Sequence, residues 1–245
     1  MNEASASRIA HENSIFNSLS VEDYTRIQPH LEDVCLSVGQ NLYEYGDAIQ
    51  YVYFPLDAVI HLFLTMKSGA TLEAGIVSSE GLLGFAVFMG AETVSSQAIV
   101  LHSNRALRIR ADIIKQEFNR GGHLQQLILR YINAFCVQLS QTAACNRIHQ
   151  MEARLCRWLL MMHDRLENNC LNVTQDFIAQ MLGTPRTYIT AALGSLQREM
   201  IVKCHRGRIE ILDRQSLERN SCECYEVIRR EFGLSIKTKN RPANN

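Results

Sequence analysis

A chain of 245 residues is long enough for two compact domains, and its 47% apolar and 20% charged residues are those of a folded protein rather than a disordered one. No apolar run reaches the ~18–20 residues needed to cross a bilayer, so no membrane partner is expected. Met1 to Asn17 is polar, with no basic lead into an apolar stretch; no secretory signal is read there, and the cytoplasm is the expected location.

The formal net charge of zero hides an asymmetry. Residues 1–118 hold 7 Lys/Arg against 14 Asp/Glu, residues 119–170 hold 6 against 3, and residues 171–245 hold 12 against 8. A polyanion would be met by the C-terminal part.

Taken in chain order, Ser20 stands as N-cap of a helix with Asp23 at its third position. From Val34 to Arg110 short apolar runs alternate with turn residues: Val34–Leu36 before Gly39, Leu42–Tyr43 before Gly46, Tyr51–Phe54 before Pro55, then Val59–Leu64, Leu72–Val77, Ala98–Leu101 and Ala106–Ile109. Runs of this length, rich in aromatic and β-branched residues, predict many short strands in a sandwich or barrel.

The character changes after Phe118. Leu124 to Met151 has neither proline nor glycine, and Leu124, Ile128, Tyr131, Phe135, Gln138, Thr142, Cys145 and His149 recur at steps of four and three. Two arrangements produce such a stripe: a core helix of one chain, or the seam of a two-stranded coiled coil. Gln138 and Thr142 suit a single-chain core poorly, which favours a homodimer built on Leu124, Ile128, Tyr131, Phe135, Gln138, Thr142 and Cys145. A second helix, Glu152 to Leu166, carries the only tryptophan, Trp158, read as a packing anchor.

Thr174 then caps a short helix with Phe177, Ile178, Met181 and Leu182 on its apolar side, and Gly183 ends it. Thr184 caps the next helix with Pro185 at its first position, Ile189, Leu193 and Leu196 inward, and Arg186, Thr187, Tyr188 and Thr190 outward. Two short helices joined by a glycine turn read as a helix-turn-helix, whose second helix enters the DNA major groove by its N-terminal residues. Ile201 to Leu212 alternates around Arg206-Gly207, a hairpin that would carry Lys203, Arg206 and Arg208 to phosphates.

Eight cysteines stand at 35, 136, 145, 156, 170, 204, 222 and 224 without the spacing of a disulfide framework. Cys204-His205 and Cys222-Glu223-Cys224 offer four soft ligands, but metal-ligand pairs usually sit two to four residues apart, and packing is the preferred reading; no metal or cofactor is expected. No Gly-x-Ser-x-Gly, P-loop or His-Glu-x-x-His sequence occurs, so no enzyme is expected either.

At Gly39 to Gly46, Tyr51-Val52-Tyr53-Phe54-Pro55, Glu80-Gly81-Leu82-Leu83-Gly84, Arg154 to Leu159, Thr174 to Leu196 and Arg206 to Ile209 the chain resembles the Crp–Fnr family of transcription regulators. The resemblance implies an α+β protein in three parts: a cyclic-nucleotide-binding-type β-roll (1–118), a dimerisation helix (119–151) and a winged helix-turn-helix (152–245). It also implies double-stranded DNA, a second copy of the chain and RNA polymerase as partners, with a small-molecule effector still to be named. Three departures qualify it. Glu80 to Ala98 holds no Arg or Lys, and Ser95, Ser96 and Gln97 replace the Arg-Ser pair that receives a cyclic phosphate, so cyclic AMP is not expected. Cys35 is the only cysteine before Cys136, so there is no N-terminal iron–sulfur ligand set. A haem ligand among His61, His102 and His123 is weighed against ordinary structural roles. Thr187 and Ala191 replace two reader positions around Arg186, implying a different operator. The alternative to DNA binding is a ligand-sensing module whose winged helix serves protein contacts.

Overall fold

The computed structural model describes residues 12–102, 104–166 and 168–233; most of the N-terminal segment searched for a signal, and the last twelve residues of the C-terminal part, lie outside the described residues. Two short helices, α1 (Ser14–Asn17) and α2 (Val21–Ile27), lead in, and Ser20 Oγ accepts the Asp23 amide at 3.1 Å as its cap position requires. Seven strands follow: β1 (Glu32–Leu36), β2 (Asn41–Tyr43), β3 (Tyr51–Pro55), β4 (Val59–Thr65), β5 (Thr71–Val77), β6 (Gln97–His102) and β7 (Asn104–Arg110). They form two antiparallel sheets, ordered β1-β7-β3 and β2-β6-β4-β5. Phe54, Ile60, Leu62, Val100 and Ile109 fill the space between them.

The near-continuous apolar run of β4 has a physical reason. Ile60 and Leu62 point into the roll, while Val59 and Phe63 belong to a second core with Trp158, Leu159 and Met162. A strand covered on both faces cannot alternate with polar residues. His61, on the same side as Val59, is buried and bonded to Glu73, whose Oε2 also accepts from Trp158 Nε1 at 3.2 Å. His61 is a structural histidine, and the lone tryptophan is the packing anchor its sequence position suggested.

Past α3 (Ala111–Asn119), α4 (His123–Ile148) runs for 26 residues along the roll. The expected dimer seam requires correction here. Leu124, Ile128, Tyr131, Phe135, Gln138 and Cys145 are all buried within their own chain, and Thr142 is half-buried. Gln138, whose polarity argued for a seam, is held in this core by donating from Nε2 to the Ile76 carbonyl at 3.1 Å, while its Oε1 is buried without a hydrogen-bond partner among the described residues. Period alone identifies residues that share a face, not the surface that face meets. The opposite stripe, Leu129, Asn133, Cys136, Ser140, Ala143 and Arg147, also steps by four and three, and all six are exposed.

The chain bends at His149 and Gln150, both extended in ψ, and continues into α5 (Met151–Arg165). Then come β8 (Cys170–Leu171), α6 (Gln175–Met181), α7 (Arg186–Arg198), the hairpin β9 (Val202–His205) and β10 (Arg208–Ile211), α8 (Arg214–Arg219) and α9 (Cys224–Glu231). The three strands make a small antiparallel sheet ordered β8-β10-β9. No helix among the described residues is long and apolar enough to cross a membrane.

Candidate nucleic-acid interface

The geometry of the α6–α7 unit follows from local sequence. Thr174 Oγ1 accepts the Phe177 amide at 3.1 Å, starting α6. Ile178, Met181, Ile189, Leu193 and Leu196 are buried between the two helices and α5. Gly183 joins them with a φ of 59°, a left-handed conformation that costs glycine little. One detail differs from expectation: Pro185 is the N-cap of α7, with Arg186 its first helical residue, so Thr184 lies one position outside the cap. Proline remains well placed there, because its missing amide would have had no helical partner.

The outer end of α7 is open. Pro185, Arg186, Thr187, Tyr188 and Thr190 are all exposed, Tyr188 at 59%, while Thr184 is half-buried in the turn. Arg186 Nη1 meets Asp176 of α6 at 2.9 Å, both side chains being about 60% or more exposed. Thr190 Oγ1 donates to Gln175 Oε1 at 2.7 Å. These bonds fix the two helices' polar faces without covering them. The positive end of the α7 dipole adds to the Arg186 charge at this tip.

The hairpin follows α7 in the chain and packs on it through β9. β9 and β10 pair His205 with Arg208, leaving Arg206-Gly207 as a two-residue turn in which Gly207 takes a φ of 70°. Lys203, Arg206 and Arg208 are exposed, and among the described residues Lys203 and Arg206 have no ion-pair partner. Arg208 Nη2 reaches Cys170 Sγ at 2.7 Å. Pro185, Arg186, Thr187, Tyr188 and Thr190 thus share the outer end of one helix, and of the three hairpin cations Lys203 and Arg208 stand on the strands and Arg206 in the turn.

Glu80, in the segment between β5 and β6, is already paired within the chain. It is buried against Arg165 of α5, whose Nε donates to Glu80 Oε1 at 2.8 Å. Nearby, between the roll and α4, lies a cavity of about 540 Å³. Leu62, Leu72, Leu83, Phe85, Phe135 and Leu139 are among its walls, with Ser95, Ser96, Thr142 and Asn146 at polar points. Glu73 is the only charged residue among the lining side chains.

The four soft ligands read from the sequence do not assemble. Cys204 packs against the winged-unit core, and Cys222 and Cys224 gather instead with Cys145 and His149 from the end of α4. Sequence reading placed Cys145 and His149 on the dimer stripe; their i, i+4 spacing on one helix was the available signal.

A β-roll of two antiparallel sheets, a long helix and a winged helix-turn-helix follow one another in that order. Residues 153–220 match the family model of the Crp-like helix-turn-helix domain. The global nitrogen regulator of Nostoc sp. is 20% identical over 175 residues, covering 68% of this chain and 78% of the relative. FixK2 from Bradyrhizobium japonicum superposes with a TM-score of 0.68 at 12% identity, over 78% of this chain and 98% of that one. A Crp-family transcriptional regulator from Thermus thermophilus gives 0.65 at 15% identity, over 77% and 96%. The fold is the one these proteins share, and residues 153–220 form a Crp-like helix-turn-helix domain, as the sequence resemblance implied.

Proposed function

We propose that the protein is a sequence-specific transcription regulator that binds duplex DNA as a homodimer, with α7 in the major groove and the β9–β10 hairpin on the backbone. The observation that carries this reading is the open, cationic N-terminal end of α7 on a helix followed at once by an exposed basic hairpin. Arg186 is the base reader, with Thr187, Tyr188 and Thr190 around it; Thr174, Thr184 and Pro185 set the helix ends against phosphates; Lys203, Arg206 and Arg208 supply charge without sequence information. The natural division is a roll through residue 118, a dimer helix over 119–151 and a DNA-binding part from 152. RNA polymerase is the further partner in such a role.

The dimer face assigned here is the exposed stripe of α4. Leu129, 49% exposed, is apolar, and Ser140 and Ala143 are small enough for close helix approach. The effector is a neutral, largely apolar molecule in the 540 Å³ cavity, since a cyclic phosphate would find no cation there and Glu80 is already paired. The alternative, a sensor whose winged helix serves protein contacts, is favoured by one observation, the Arg186–Asp176 pair that partly neutralises the tip.

Affinity for duplex fragments measured against salt separates the two. A DNA-binding dimer contacting Z phosphates loses affinity with a slope of about −0.9Z on logarithmic axes. A flat dependence would refute the DNA reading.

A further inference from the structure

At the bend between α4 and α5, three thiols and one imidazole face each other. Cys145 and His149 lie one turn apart on α4; Cys222 and Cys224 lie at the entry to α9. Their ligand atoms all fall within 4.8 Å of one another, Cys145 Sγ standing 3.4 Å from Cys222 Sγ and Cys224 Sγ 3.7 Å from His149 Nδ1. All three cysteines are buried. From this juxtaposition we propose that Cys145, His149, Cys222 and Cys224 form a tetrahedral site for one divalent zinc-class ion, tying the end of the long helix to the last helix of the winged unit.

The spacing fits a mononuclear centre. Zinc–sulfur bonds of about 2.3 Å in a tetrahedron put neighbouring sulfurs about 3.8 Å apart, close to what the four groups show before any ion draws them in. A polynuclear iron–sulfur cluster would place its irons between the sulfurs and spread them further. Three cysteines and one histidine are also a donor set that structural zinc sites use.

Independent features surround the ligands. With Nδ1 turned to the thiols, His149 presents Nε2 to Glu223 Oε2 at 3.3 Å. A metal-bound histidine characteristically gives its other ring nitrogen to a carboxylate, which fixes the ring and strengthens it as a donor. Arg157, buried on α5, brings a positive charge near the Cys145 thiol. Zinc with three thiolates and a neutral imidazole carries a net charge of −1, which a buried arginine offsets. Binding displaces the thiol protons to solvent, so no oxidant or reductant is needed.

The geometry also says what the ion would do. The bend at His149–Gln150 is where the direction of the long helix passes to α5 and hence to the helix-turn-helix. An ion bridging both sides of that bend fixes the angle between them.

The test uses the full chain, purified under reducing conditions from zinc-supplemented medium, with metal counted by mass spectrometry and compared with Cys222→Ser, Cys224→Ser and, as a control away from the site, Cys204→Ser. The expected result is one zinc per chain in the parent and in Cys204→Ser, with loss in the other two. Cobalt substitution should give the thiolate charge-transfer absorption and intense visible bands of a tetrahedral sulfur-rich site, weakened in Cys222→Ser and Cys224→Ser. Chelation should lower Tm for the parent and leave the two site variants unmoved, which separates ion loss from a folding defect. Folded parent without stoichiometric metal, retention of zinc and of the cobalt bands in both site variants, or iron accompanied by acid-labile sulfide would each overturn the assignment. These readouts need no DNA, so their failure is distinct from failure of the DNA-binding reading.

Discussion

Asp176 and a guanine edge compete for Arg186, and the energetics can be worked from the structure. In the free protein its guanidinium meets Asp176 at 2.9 Å in an exposed pair, worth about 0.2–1 kcal/mol. A two-bond contact to a guanine edge discriminates against the wrong base by about 1–3 kcal/mol. Breaking the first to make the second leaves roughly 1–2 kcal/mol, so Arg186→Ala should weaken binding to the preferred duplex by about 5- to 30-fold. Its affinity for random duplex should change far less. Asp176→Asn removes the competitor and should tighten preferred-site binding by up to about fivefold. Fluorescence anisotropy with preferred and scrambled duplexes at fixed salt reads all four proteins of the double-mutant cycle. If Asp176→Asn gains as much in the Arg186→Ala background as in the parent, the two residues do not compete and Asp176 acts only as a general repulsive charge. If Arg186→Ala weakens both duplexes equally, its role as a base reader is wrong.

Arg206→Ala should weaken all duplexes alike and reduce the salt slope by about one, visible in the same titrations; a change in sequence preference would contradict a backbone role. Leu129→Glu on the exposed stripe of α4 should give a monomer by analytical ultracentrifugation while keeping a parent-like unfolding curve; an intact dimer would move the interface elsewhere. Glu80→Gln strands the buried Arg165 charge and should cost about 3–5 kcal/mol, a fall in Tm of about 6–20 °C by calorimetry. Gly81→Ala drives a methyl into the Tyr131 ring and should cost about 1–3 kcal/mol or more, whereas an unchanged Tm would mean the ring can move aside.

Where local signals decide structure, the sequence was legible. Ser20, Thr174, Gly183 and the Arg206-Gly207 turn act within a few residues of themselves, and the caps, turn and hairpin formed where those residues stand. All seven strands of the roll lie on the apolar runs read for them, because period and turn chemistry are local too. What failed was long-range. The stripe Leu124 to Cys145 looked like a seam for a second chain, but Leu124, Ile128, Tyr131 and Phe135 pack on the roll of the same chain and Cys145 on Cys222 and Cys224, and only tertiary placement separates those outcomes. Glu80 meeting Arg165, 85 residues away, and Cys145 meeting Cys222, 77 residues away, left no periodic trace. Helices α3 and α9 went unread because neither begins on a side-chain cap, and α8 because its six residues bury only Leu217.

The most direct measurement is selection of bound duplexes from a random pool by the full-length chain, followed by sequencing. Entry of α7 into the major groove by a symmetric pair predicts enrichment of a two-fold site with half-sites about 10 bp apart, lost in Arg186→Ala. A pool that shows no enriched sequence after repeated rounds would contradict it.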